Sequence, residues 1–321
     1  MVKDIKKIKV SIIILTINSP ELVKETLSDI SKLTINGLGV GCVVVDNSST
    51  DKIEKELKNY KQSLSLRDKF KDIDFKYIKT GKNLGFAGGN NIGIKYALGN
   101  ASDYILVLND DMVLSSDLLI KLTSFMENNK NVGIVSPKIY FAGGHEFHQD
   151  RYSKNEKGNV IWYAGGFIDW NNIYTSHRGV DEVDNGQYDK ETETDLASGA
   201  CMLVRSEVFK KIGYLDEDLF LYWEDADFSR RAIENGFKVY YCPKTFVSHK
   251  VSASAGGSGS VSNDYFLVRN RYYFALRYAK LRTKIAVIKD TIKLALTGRE
   301  WQKIGARDAL MGKKGIGSWK K

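Results

Sequence analysis

Three nearly unbroken apolar runs constrain this chain more than any other feature: "VSIIILT" (10–16), "VGCVVVD" (40–46) and "DYILVLN" (103–109). A strand with one wet face alternates apolar and polar residues. A run that is apolar throughout fits a strand buried on both faces, as in a parallel sheet covered by helices. Helical patterns separate the runs. "SPELVKETLSDISKL" opens with Ser19 as the expected N-cap and Pro20 at the first helical position. "STDKIEKELKNY", "GGNNIGIKYALGN" and "SSDLLIKLTSFMENN" follow, the second reading as a turn into a helix. Two more strands read as "DFKYIKT" (74–80) and "VGIVSPKIY" (132–140). The alternation predicts an α/β fold: a mostly parallel sheet, right-handed crossovers and helices on both faces.

The second half is less regular. Residues 141–195 are rich in Gly, Asn, Asp and aromatics, with short strands expected around "VIWYAGGFIDW". "LASGACMLVRSEVFKKIG" reads as strand into helix, and "EDADFSRRAIENGFKVYYCP" as helix, stop at Gly236, then strand. The Gly/Ser-rich stretch 252–264 reads as a loop or linker, and from Tyr265 onward the pattern is helical. There Leu281, Ile285, Ile288, Ile292 and Leu296 recur at helical spacing among Arg282, Lys284, Lys289 and Lys293. The 321 residues suit one large α/β domain with an appendage.

The formal charge of +9 is unevenly placed. Residues 261–321 carry 15 Lys and Arg against 4 Asp and Glu, whereas the rest carries 33 against 35. The basicity belongs to the tail, and a local basic patch points to a polyanionic partner, a membrane surface or nucleic acid. The three cysteines (Cys42, Cys201, Cys242) are widely spaced and odd in number, so they suggest neither a disulfide framework nor a zinc site. A reducing, cytoplasmic setting is expected. The apolar run after the basic start is too short for a signal peptide or a spanning helix.

In an open parallel sheet, ligands bind beyond the carboxyl ends of the strands. Here those ends carry Thr16-Ile17-Asn18, Asp46-Asn47-Ser48, the loop "GKNLGFAGGNN" and Asn109-Asp110-Asp111. The glycine loop is not the dinucleotide fingerprint, so no nicotinamide cofactor is expected. Asp110 and Asp111 sit where a diphosphate would lie, and carboxylates beside phosphates call for a bridging Mg²⁺ or Mn²⁺. A second acidic cluster, "LYWEDADFSRRA", sets Glu224, Asp225 and Asp227 beside Tyr222 and Trp223. Crowded like charges beside aromatics raise carboxylate pKa values, which suits a general base. His249 ends "FVSH", where a neutral imidazole would complete a metal shell; His145, His148 and His177 lack supporting ligands.

The segments "SIIILTIN", "VVVDNSSTD", "NLGFAGGNN", "YILVLNDDMVL", "SGACMLVRSEVFKKIGYLDEDLFLYWEDADFSRRA" and "FVSHKVSASAG" occur in this order across about residues 9–260. In them the chain resembles family 2 glycosyltransferases of the GT-A type, rhamnosyltransferase-like branch. "RNRYYFALRYAK" and "DALMGKKG" resemble the same branch. The resemblance implies a Rossmann-like GT-A catalytic domain over 1–260, with a nucleotide-sugar half about 1–112 and an acceptor half about 113–260. The remainder, 261–321, is a basic helical extension. It implies an inverting transfer from a nucleoside-diphosphate sugar, dTDP- or UDP-linked, to a saccharide or polyprenyl-linked acceptor, in cell-envelope polysaccharide synthesis, with Mg²⁺ or Mn²⁺. By motif position Thr16, Asn18 and Asp46 hold the nucleotide, and Asn83, Gly85 and Gly88 form the nucleotide-sugar loop. Asn109 and Asp110 precede the metal-binding Asp111, and His249 is the later metal ligand. Asp225 is the catalytic base with Glu224 as its neighbour. Gly199 and Trp223 join the substrate-binding set, Trp223 on the acceptor side. The basic extension would lie on an anionic membrane, making the protein peripheral on the inner face of the cell membrane.

Three other readings compete. A nucleotidyltransferase of the same fold brings a basic glycine loop after its first strand, where this chain has "TINSPELV". A nucleic-acid-binding protein would use the basic tail, yet no sequence-reading motif accompanies it, so no nucleic acid is expected. A non-catalytic scaffold would not need Asp111, Asp225 and His249 together.

Overall fold

The computed structural model describes residues 7–65, 72–251 and 260–319. The first half alternates as expected: β1 (Ile8–Thr16), α1 (Pro20–Ile30), β2 (Leu38–Asp46), α2 (Lys52–Ser65), β3 (Ile73–Lys79), α3 (Gly85–Gly99) and β4 (Tyr104–Asn109). Then come β5 (Met112–Leu114), α4 (Leu118–Asn128) and β6 (Val132–Phe141). Short strands β7 (Ile161–Tyr163), β8 (Gly166–Asp169), β9 (Tyr174–His177) and β10 (Thr192–Glu193) occupy the irregular region. β11 (Cys201–Arg205), α5 (Ser206–Ile212), α6 (Glu224–Glu234) and β12 (Lys238–His249) complete the sheet, and α7 (Val261–Tyr278), α8 (Leu281–Thr297) and α9 (Glu300–Leu310) follow.

The main sheet runs β10-β12-β6-β11-β4-β1-β2-β3. Along this path the pairings are parallel except at β10 and at β11, which lies antiparallel between β4 and β6; off it, β5 and β7 pair antiparallel with β12 and β6. In β1 the alternate residues divide between two cores. Ile12 and Ile14 face α1, α2 and α4, while Ile13 faces α3, α5 and α6. That is why the run has no polar alternation, and each such side chain contributes roughly 1.5–3 kcal/mol on burial. The registers Thr16↔Asp46, Leu15↔Asn109 and Asp46↔Lys79 bring the predicted polar ends to one edge. His249, last in β12 and opposite Met112 of β5, reaches the same edge.

Three local expectations change. Ser19 does not cap α1 through its side chain; its hydroxyl donates to the Ile17 carbonyl instead. "GGNN" is not a turn but the interior of α3, which already starts at Gly85. A Cβ on Gly89 would lie 2.3 Å from Leu15, and one on Gly93 would lie 2.4 Å from Ile13. Those two glycines therefore let α3 sit close on β1. Finally, α7 begins at Val261 because the Ser260 hydroxyl accepts from Asn263 N–H. The rest of the predicted Gly/Ser loop, 252–259, lies outside the described residues.

The C-terminal helices pack on the loop before α6. Phe274 and Ala275 of α7 join Trp223 and Ala226, and Tyr265 and Phe266 join Phe220. α8 turns its small residues Thr283, Val287, Thr291 and Ala295 inward. Among the described residues no helix is long and apolar enough to cross a membrane.

Candidate active site

The acids after β4 meet β12. Asp111 Oδ1 lies 3.1 Å from His249 Nε2, and Lys250 N–H donates to the Asp111 carbonyl at 3.0 Å. The His249 ring stands edge-on to Trp162 at 4.7 Å. Its Nδ1 is buried without a hydrogen-bond partner among the described residues. Burial pushes the Asp110 carboxyl up to about 7, helped by the Asp111 charge and opposed by the Thr16 hydroxyl. His177, on the other side of Trp162, is pushed down to about 4 by burial. The described residues form no closed cage of three or more His, Cys, Asp or Glu side chains. A buried carboxylate against an imidazole, with a second carboxylate alongside, nevertheless fits an open divalent site whose other ligands come from a diphosphate.

The nucleotide end is built by side chains that bond one another. Asp46 is fully buried; its oxygens accept from Ser48 N–H at 2.9 Å and Tyr77 O–H at 2.6 Å. Asn18, at φ +55°, donates its N–H to Ser48 Oγ at 2.8 Å. Asn47 was not singled out in the sequence, yet it ties the edge together. Its amide donates to Asn83 Oδ1 and the Gly85 carbonyl, both at 3.0 Å, and its oxygen accepts from Leu84 N–H. Gly85 has φ +74°, and a Cβ there would lie 2.4 Å from the Phe220 carbonyl oxygen. That carbonyl accepts Phe86 N–H at 2.7 Å and so covers the start of α3. Gly88 lies in the first turn of α3, facing Leu84 and Glu217.

Asp225 and Glu224 open α6. Asp225 Oδ2 accepts from Gly199 N–H at 3.1 Å and Oδ1 from Ala226 N–H at 2.8 Å. The next residue, Ala200, accepts Asn109 N–H through its carbonyl at 2.9 Å, so two hydrogen bonds join the β4 end to Asp225. Burial raises both carboxyls above the ordinary range, and for Glu224 the Asp225 charge adds to it. Asp225 remains partly open to solvent, whereas Glu224 is buried and its Oε2 has no partner among the described residues. The Trp223 ring is buried against Phe274, and its N–H likewise lacks a partner there.

The approach to these acids is strained. Phe220, Tyr222 and Trp223 have φ of +64°, +65° and +76°. Each costs roughly 1 kcal/mol or more for a side-chain-bearing residue. Asn270 of α7 holds the strand of carbonyls: its amide donates to Leu219, Leu221 and Tyr222 at 2.8, 2.8 and 2.9 Å. Its oxygen accepts from Arg269 Nε at 2.9 Å, and Arg269 Nη2 donates to the Leu219 carbonyl at 2.9 Å. Both side chains are fully buried. In the sequence Arg269 and Asn270 were read only as part of "RNRYYFALRYAK", without this role.

Residues 11–213 match the profile described as Glycosyl transferase family 2. The chain belongs to that family. It is a glycosyltransferase, similar over 264 residues, at 29% identity, to the low-salt glycan biosynthesis hexosyltransferase Agl10 of Haloferax volcanii, covering 82% of this chain and 74% of that protein. It is 27% identical to the dTDP-rhamnosyl transferase RfbF of Shigella flexneri, covering 59% of this chain and only 57% of that one. A 25% match over 68% of each chain joins it to an N-acetylglucosaminyl-diphospho-decaprenol L-rhamnosyltransferase of Mycobacterium tuberculosis. Among solved structures, a Pyrobaculum calidifontis mannosyltransferase in complex with GDP-Man and Mn²⁺ is similar at TM-score 0.53, covering 94% of this chain and 74% of that one at 15% identity. GalNAc-T7 with UDP, GalNAc and Mn²⁺ gives 0.59, covering 97% and 59% at 16% identity. The fold of this glycosyltransferase is thus GT-A. Glu224, Asp225 and His249 lie beyond residues 11–213 of the family profile, so their place in the site rests on the geometry above.

Proposed function

We propose that this glycosyltransferase inverts the anomeric centre of a nucleoside-diphosphate sugar, dTDP- or UDP-linked and with rhamnose as the favoured sugar. The acceptor is a saccharide or a polyprenyl-linked saccharide, and the pathway is cell-envelope polysaccharide synthesis at the cytoplasmic side. The observation that carries this reading is the linkage of the Asp111–His249 pair to one accessible, pKa-raised carboxylate, Asp225, through the 199–200 backbone. In that reading Asp225 accepts the proton of an acceptor hydroxyl. The hydroxyl oxygen forms the new bond to the anomeric carbon as the bond to the diphosphate oxygen breaks, and the electron pair leaves with the diphosphate. A single carboxylate suffices, because a diphosphate needs no general acid to depart, unlike the leaving group of a glycosidase. Asp111 and His249 would hold Mg²⁺ or Mn²⁺, which supplies counter-charge to the departing diphosphate. Thr16, Asn18, Asp46 and Asn83 shape the nucleotide end, Asn109 and Asp110 border the diphosphate, and Gly199 and Trp223 border the acceptor.

The test is a thermal-shift panel of nucleoside diphosphates and sugar nucleotides, each with and without Mn²⁺. A true donor stabilises by mass action, about 2.7 kcal/mol at a hundredfold excess over its dissociation constant. Stabilisation by one dTDP- or UDP-sugar, larger with Mn²⁺, is expected. No shift from any member overturns the reading.

A further inference from the structure

Helix α8 faces the wrong way for an ordinary surface helix. Its inward row is Thr283, Val287, Thr291 and Ala295, while its bulky aliphatic residues point out. Leu281, Ile285, Ile292 and Leu296 are 74%, 46%, 45% and 69% exposed. At 100° per residue these four and Ile288 share one stripe. Arg282, Lys289 and Lys293 border it on one side and Lys284 on the other. Asp290, the acid of this helix, lies away from the stripe and pairs with Arg271 at 2.5 Å.

We propose that α8 seats the enzyme on an anionic lipid surface, with the aliphatic stripe at the acyl boundary and the basic borders against the headgroups. A single helix ridge offers no groove for a peptide. A second copy of this chain docking by two-fold symmetry would set the same basic borders against each other. An anionic bilayer satisfies both halves of the pattern: it accepts apolar side chains and attracts the Lys and Arg beside them. Long basic side chains also reach up from the boundary to the headgroups. The proposal does not depend on the donor, the metal or the acceptor.

The full chain, without donor or metal, is sedimented with vesicles of phosphatidylglycerol in phosphatidylcholine and with pure phosphatidylcholine. Binding to the anionic vesicles, weakened by salt, is expected. The variant L281Q/I285Q/I292Q/L296Q should lose roughly tenfold or more in partitioning. R282Q/K284Q/K289Q/K293Q should lose the preference for anionic lipid. Both keep the inward row, so circular dichroism melting should match the parent, and donor-induced thermal shifts should persist. Failure of the parent chain to bind anionic vesicles overturns the proposal, as does equal partitioning of the aliphatic variant. Concentration-dependent dimerisation that the aliphatic variant abolishes, without vesicle binding, assigns the stripe to a second copy and also overturns it.

Discussion

Gly199 donates its backbone N–H to the Asp225 carboxylate at 3.1 Å. A Cβ at this position would lie 3.3 Å from the Phe86 ring and 3.5 Å from the Asp225 Cβ. The contact fixes the orientation of one carboxylate against the backbone that leads into the Asn109–Ala200 bond. Asp225→Asn keeps the shape and removes the basicity. It should lower kcat about a hundredfold to ten-thousandfold, while the sugar nucleotide still raises Tm. Full turnover in that variant removes Asp225 as the base.

Glu224 and Asp225 give opposite signatures in activity and stability. Burial raises the carboxyl pKa of both. A base must be ionised, so kcat should fall with decreasing pH along a limb that lies above the ordinary carboxylate range. Stability runs the other way. The unfolded chain releases the Glu224 proton first, so stability is lost as pH rises from the unfolded pKa through the folded one. Glu224→Gln should therefore raise Tm at neutral pH and lose that advantage near about pH 4. Equal Tm changes at both pH values contradict this.

Asn270 acts on the acids from a different helix. Removing its amide takes a donor from the carbonyls of Leu221 and Tyr222, beside three residues of positive φ, while the Leu219 carbonyl keeps Arg269 Nη2. Asn270→Ala should cost about 2–3 kcal/mol in denaturant unfolding. It should also lower kcat about tenfold or more with a smaller change in donor KM, because the carboxylates shift while the nucleotide end does not. A change confined to Tm reduces the clamp to a purely structural role.

The sheet was legible because continuous apolar runs admit few other placements, and the polar strand ends followed from topology. The helical extension was legible as helix but not in its orientation. Periodicity finds the aliphatic row of α8 without saying which way it faces, and here the small residues face in. Phe220 and Asn270 were not read as parts of the site, and Asn47 only as one member of a polar strand end. Their contributions are bonds to backbone groups 37 or more residues away, as from Asn47 to Leu84 and Gly85, and local pattern carries no trace of such contacts. Trp162 was missed likewise, because ring packing on His249 depends on how β7 meets β12.

Gly85 couples the two halves of the site. Its φ of +74° and its 2.4 Å clearance, for a would-be Cβ, from the Phe220 carbonyl both exclude a side chain. Gly85→Ala should destabilise the fold by about 2–4 kcal/mol, combining left-handed strain with displacement of the Phe220 loop. Donor-induced stabilisation should weaken as well, since Asn83 and Asn47 both bond to Gly85. An alanine variant with the parent's Tm would mean that the 220 loop yields freely.

His249 reports on the metal directly. Its Nε2 faces Asp111 Oδ1 at 3.1 Å. His249→Ala and Asp111→Asn should each weaken Mn²⁺ binding at least about tenfold in a calorimetric titration with nucleoside diphosphate present. Loss of Asp111 removes a charge, whereas loss of His249 removes a neutral donor, so the aspartate variant should lose more. Trp162→Leu should produce a milder loss, because it leaves both ligands in place and frees the imidazole ring to turn. Unchanged Mn²⁺ affinity in the His249 variant would take the imidazole out of the metal site and leave it as a neighbour that orients Asp111.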